Sequence, residues 1–205
     1  MEFESAHPSV VKSIRQRVLL NAWLRAWENQ QPLPGLSDFH PEHVADELPD
    51  MMRFAVEATN TGIRFFITQE GARLTSTYGS EHLKPEERIN RYLDDAIGPE
   101  RYARVVPCYL SCVRYRRPTY SVSVVSDADG KEVAFERLLL PFGDDRVEQI
   151  VGSYKAISIE GAFKSANLMG ADAPSLPVRL INTVINAETA MQSEISPEDD
   201  IVEIG

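Results

Sequence analysis

Between Thr119 and Ile159 apolar and polar residues alternate in three runs parted by two short turns, which predicts a three-stranded antiparallel meander. The first run, Thr119 to Val125, alternates small polar with β-branched or aromatic residues. Asp129-Gly130 supplies the first turn. The second run, Glu132 to Pro141, carries Phe135 and Leu138 to Leu140, and Pro141, which cannot donate to a ladder, is expected to end it. After Phe142-Gly143-Asp144-Asp145 the third run places Val147, Ile150, Val151, Tyr154 and Ile157 among polar residues.

Earlier in the chain the period changes. Val10, Val11, Ile14, Val18, Leu20, Trp23, Leu24 and Trp27 recur at spacings of three and four, which predicts a helix over 8–30. It either lies on its own domain or forms a dimer, and Trp23 and Trp27, one turn apart, are the interface candidates. Pro32 and Pro34 mark a connector, and Asp38 before Pro41-Glu42 starts a short helix towards Leu48. Met51 to Glu57 and Ile63 to Thr68 flank Asn60-Thr61-Gly62 as a hairpin. Short helices follow over 71–98. A longer one opens at Pro99, with Tyr102, Val105, Val106, Tyr109, Cys112 and Val113 on one face, kinked or restarted at Pro107 and stopped by Pro118. Near the end, Ala171 to Pro177 forms a linker, and Val178, Leu180, Ile181, Val184 and Ile185 predict one more helix.

These elements predict an α+β fold: a five-stranded antiparallel sheet with helices packed on one face, plus N-terminal and C-terminal helical extensions. The divisions are an N-terminal helix over 1–32, a central domain over 33–165, and a C-terminal helical extension with an acidic tail over 166–205. A cavity between helices and sheet follows from that arrangement.

Composition narrows the partners. At 205 residues, with 43% hydrophobic and 25% charged, the chain suits one globular domain with extensions. Six of its 31 acidic residues fall within 186–205, which holds none of the 21 Lys and Arg. The net charge of -10 repels polyphosphate and anionic lipid, so neither nucleic acid nor membrane is an expected partner. No apolar run approaches the ~18–20 residues that span a bilayer. The acidic start, Met1-Glu2-Phe3-Glu4, is unlike a secretory leader, and the expected place is the cytoplasm.

Chemistry-bearing motifs are sparse. His7, His40, His43 and His82 lack metal-ligand spacing, and Cys108 and Cys112, four apart, suit core packing better than a disulfide or a metal site. Asp127-Ala128-Asp129-Gly130 misses the remaining ligands of a calcium loop. No His-Asp pair or paired carboxylate points to acid–base catalysis, and no cofactor is evident. Glu136-Arg137 differs: adjacent strand residues face opposite sides, so one of the two charges points towards the helices. It serves there either as a salt bridge that pins a helix or as an anchor for a ligand. Tyr109, Cys112, Tyr120, Arg137 and Tyr154 are the candidate pocket residues.

Several of these stretches together resemble bacterial single-domain PAS proteins, within the PAS sensory superfamily, over roughly 20–160. They are Trp23 to Trp27 followed by Leu33-Pro34 and Asp38-Phe39-His40-Pro41; Leu48-Pro49; Arg64-Phe65-Phe66 with Gly71 and Tyr78-Gly79; and, most specifically, Phe135-Glu136-Arg137-Leu138-Leu139-Leu140-Pro141. Ala72 and Lys84 stand where that family usually has Thr and often Gly. The resemblance implies a sensory or protein-interaction module, often dimeric, whose helices and sheet can enclose a small ligand, and it does not imply catalysis. The expected function is regulation through a protein partner or a small molecule, without catalytic activity. The alternative expectation is a small α+β pocket enzyme of the isomerase or hydratase kind.

Overall fold

The computed structural model describes residues 3–27, 33–60, 62–78, 85–166, 168–169 and 176–189, with side chains at 75, 76, 78, 85 and 86 excepted. The connector at 28–32, Gly79, His82, Lys84, the linker at 171–175 and the acidic tail from 190 lie outside the described residues. The fold is α+β, with seven strands in one mixed sheet and six α-helices among the described residues.

The strands are β1 (Glu4–Ala6), β2 (Met51–Thr59), β3 (Gly62–Glu70), β4 (Thr119–Ser126), β5 (Glu132–Gly143), β6 (Val147–Ile157) and β7 (Val178–Ile185), in the order β1-β7-β4-β5-β6-β2-β3. The helices are α1 (Ile14–Trp27), α2 (Val44–Glu47), α3 (Ala72–Tyr78), α4 (Pro85–Arg88), α5 (Leu93–Ile97) and α6 (Pro99–Tyr115). The hairpin β2–β3 and the meander β4–β6 form as their alternation predicts, and they join edge to edge where β2 pairs antiparallel with β6. Helices α3 to α6 connect these two parts.

Three expectations need correction. The run Val178–Ile185 is strand β7, not a helix: it pairs antiparallel with the outer edge of β4, and β1 adds in parallel beyond it. Its apolar residues fit both periods, and the open backbone edge of β4 decides between them. Helices also cover both faces of the sheet. Helix α1 lies on the face opposite α6, because β5 is apolar on both sides: Phe135 and Leu139 pack towards α6, while Leu138, Leu140 and Phe142 pack with Leu19, Leu20 and Trp23 of α1. An unbroken apolar run such as Leu138 to Leu140 is what a doubly covered strand requires. Finally, β5 passes through Pro141 to Gly143. Beyond Leu139 its ladder continues on the β6 side alone, and the Pro141 carbonyl accepts the Trp23 Nε1–H at 2.7 Å.

Helix α6 is continuous through Pro107 and ends at Arg116, which adopts a left-handed conformation (φ 51°) two residues before Pro118. Gly71 marks the closest backbone approach at the start of α3. A Cβ there would run into the carbonyls of Leu48 and Pro49, so only glycine lets α3 leave β3 at this point.

Candidate functional site

Arg137 points towards α6 and Glu136 towards α1, both almost wholly buried. The alternation of β5 therefore carries one charge into each layer. On the α6 side a cavity of about 20 Å³ lies between the sheet and α5 and α6, room for about one water molecule. Its apolar walls are Met52 and Ile67 from the sheet, Leu93 and Ile97 from α5, and Val105 from α6.

The polar part of the wall is unusual. Arg88, Arg101 and Arg137 line it, from α4, α6 and β5 respectively, together with Glu70 at the end of β3 and the ring of Tyr109. Each of these arginines is more than nine-tenths buried. Arg88 holds Glu70 in a two-pronged ion pair, Nη2 donating to Oε1 at 2.7 Å and Nε to Oε2 at 3.1 Å, with both side chains 4% exposed. Arg137 turns Nη1 towards the Cys108 sulfur at 3.8 Å, and its guanidinium lies 6.0 Å and 5.8 Å from the ring centres of Tyr109 and Tyr154. Those two tyrosines share a hydroxyl–hydroxyl hydrogen bond of 2.6 Å. Tyr154 can lie back over the sheet because Gly152 has no side chain: a Cβ there would meet the Tyr154 hydroxyl at 2.6 Å.

Of the five expected pocket residues the structure brings three together: Tyr109 and Arg137 line the cavity, and Tyr154 backs Tyr109. Cys112 lies deeper, its thiol on the Leu139 carbonyl at 3.8 Å, and does not line the cavity. Tyr120 is on the opposite face, where its hydroxyl accepts the Lys12 backbone N–H at 3.2 Å. The strand register explains this correction: Ser121 stands opposite Arg137, and Tyr120 opposite Leu138. Trp23, expected at an interface, is fully buried in the chain's own core, and Trp27, half-buried, stacks on it at 6.0 Å beneath the Arg117 guanidinium.

Sequence reading missed Glu70, Arg88 and Arg101. A signal existed for one of them, since Arg101 falls on the same stripe as Val105, Cys108 and Cys112 at helical spacing, a charge where a core residue is expected.

Burial sets the electrostatics. It raises the Glu70 carboxyl above its ordinary value, and the opposing charge and hydrogen bonds of Arg88 offset this only in part. The folded chain therefore holds a proton at Glu70 at pH values where the unfolded chain has released it. Stability is expected to fall as pH rises through the interval between the unfolded and the raised folded value. In Glu70→Gln that slope should shrink relative to wild type in denaturant titrations taken from mildly acidic to neutral pH.

Burial also pushes the Cys112 thiol well above its ordinary range, and Cys108 is 1% exposed. Both thiols are expected to stay silent to a thiol reagent in the folded protein and to react once it is denatured. Fast native labelling would show that α6 opens.

A second depression, of about 450 Å³, lies on the surface where the β2–β3 hairpin meets the end of α6 and the β5–β6 turn. It is lined by Glu57, Arg116, Asp145 and Arg146 among apolar residues. Among the described residues no group of three or more His, Cys, Asp or Glu is placed to hold a metal ion. No described helix is long and apolar enough to cross a membrane. A comparison with protein-family models gives no match. A comparison with curated proteins gives none either.

Proposed function

We propose that this chain is a PAS-like sensory or regulatory module, which binds a small molecule between its helices and its sheet and acts through a protein partner without catalysing a reaction. The observation that carries this reading is the small, mostly apolar cavity between the helices and the sheet, which three buried arginines help to line. The order of elements supports it: a hairpin, a helical connection and a meander close into the five neighbouring strands β4-β5-β6-β2-β3 that the resemblance implies. The module is proposed to be cytoplasmic and homodimeric, with an unidentified protein as its output. Because Trp23 is buried, the dimer must use other residues.

Native mass spectrometry of the freshly purified protein tests this. The expected spectrum shows dimers with a small molecule that is lost on denaturation. A bare monomer would overturn both the dimer and the retained ligand.

One observation favours the alternative of a pocket enzyme: Glu70 is a buried carboxyl with a raised pKa at the cavity wall. Its two-pronged bond to Arg88 ties up both oxygens, and the sensory reading is preferred for that reason.

A further inference from the structure

Independently of what the cavity holds, we infer that the outer face of helix α1 is a docking surface for the acidic stretch 190–205 of the same chain, which runs back along the helix and covers it.

The two surfaces are opposite in charge. From Ser5 to Trp27 the chain carries no Asp or Glu, while Lys12, Arg15, Arg17 and Arg25 are cationic. Residues 190–205 hold Glu194, Glu198, Asp199, Asp200 and Glu203 and no Lys or Arg. On α1, Glu47 engages Arg15 at 3.0 Å, but the exposed guanidiniums of Arg17 and Arg25 meet no acceptor among the described residues. Around them the face is partly apolar: Ile14 is 71% exposed, and Val18 and Leu24 are half-buried. The acidic stretch has the matching mixture, with Ile195, Ile201, Val202 and Ile204 among its carboxylates.

The stretch also starts in the right place. Glu188 pairs with Arg117 at 3.4 Å, and that guanidinium lies over the ring of Trp27, the last residue of α1. Residue 190 therefore follows beside the C-terminal end of the helix. Sixteen residues reach up to about 50 Å when extended, against about 21 Å for a helix of 14 residues. Ala190 to Ser193, without charge, pass the helix end where a carboxylate would be unfavourable, and the acids begin at Glu194, on the way to the positive end of α1. Exposed ion pairs are individually weak, but attachment to the same chain gives the stretch a high effective concentration at the helix.

The end of α6 offers a poorer seat. In the depression there, Arg116 and Arg146 lie among Glu57 and Asp145, so the charge of its lining is already balanced. A protein partner that uses α1 must then be acidic in the same way and displace residues 190–205.

Fluorescence anisotropy of the full chain, labelled with a thiol-reactive dye at Ser196→Cys, tests this, because the native Cys108 and Cys112 are buried. The anisotropy is expected to fall about twofold in high salt and equally in Arg17→Gln with Arg25→Gln. Arg17→Glu with Arg25→Glu should lower it as far, and adding Asp199→Lys and Asp200→Lys to that chain should restore it. These arginines are exposed, so the urea midpoint should stay at the wild-type value, and salt reads the same contact without any substitution at the helix. An anisotropy indifferent to salt and to the arginine variants would overturn the inference. So would a loss seen with Arg114→Gln and Arg116→Gln instead, which would seat the stretch at the end of α6. A value that falls on dilution would overturn the contact within one chain in favour of a second copy.

Discussion

Replacing Trp23 with alanine is expected to lower the unfolding free energy by about 3–5 kcal/mol, the range for emptying a buried aromatic site. The indole is fully buried between α1 and the sheet, among Leu19, Leu138, Leu140 and Phe142. Its removal also leaves the Pro141 carbonyl without the Nε1–H that it accepts at 2.7 Å. Near the end of β5 this bond fastens the second helical layer to the sheet, so the loss combines a cavity with an orphaned acceptor. Urea titration measures it as a lower midpoint with an unchanged slope. If Trp23 served a dimer instead, the variant would keep its stability and lose only its mass in light scattering, and an unchanged midpoint would show that α1 is not docked as described.

Lys155→Met should cost about 3 kcal/mol, the low end for breaking a buried ion pair by removing one partner. The Lys155 ammonium lies 2.6 Å from Glu47 Oε2 and 2.7 Å from Asp50 Oδ2, joining β6 to the end of α2 and the turn that leads into β2. All three side chains are largely buried, at 12%, 6% and 11% exposure. Without the lysine, two neighbouring carboxylates face each other with only Arg15 and Arg73 as described partners, and those reach in from solvent with most of their side chains exposed. Arg15→Met should cost under about 1 kcal/mol, as exposed pairs do. Adding Glu47→Gln and Asp50→Asn to Lys155→Met should recover much of the loss, because the penalty lies in the charges left behind. A Lys155→Met protein as stable as wild type would show that the cluster contributes nothing net.

Strands β2 to β6 were legible because their alternation is local and their turns carry their own chemistry: Asn60 to Gly62 in the hairpin and Asp129-Gly130 in the meander. Elements placed by distant partners were not. Val178–Ile185 satisfies a helical stripe and a strand alternation alike, and the edge of β4, more than fifty residues earlier, settles it. Helix α1 shows an apolar stripe, yet nothing within it says that the covering surface is the second face of β5. For the site the division is the same. Arg137 was readable as a charge on an inward strand position, and Arg101 was readable on its stripe. The Glu70–Arg88 pair spans a stretch with no periodic pattern, and only folding brings its members within 3 Å. Tyr120 needed the register, since one step along β4 separates the cavity side from the α1 side.

The adjacency of Glu136 and Arg137 has a further effect on how the chain finds this fold. Strand β5 is apolar on both faces, so hydrophobicity alone would tolerate a slip of one residue against its neighbours. A slip would exchange the two charges. Slipped one way, Arg137 would stand opposite Lys155; slipped the other way, Glu136 would take the place of Arg137 opposite Tyr154, on the cavity side that Glu70 also lines, so either slip brings like charges onto one side of the sheet. In the native alignment Glu136 is the residue opposite Lys155. The pair thus acts as a proofreading mark, which makes mispaired forms of the central strand electrostatically unfavourable where packing alone would accept them.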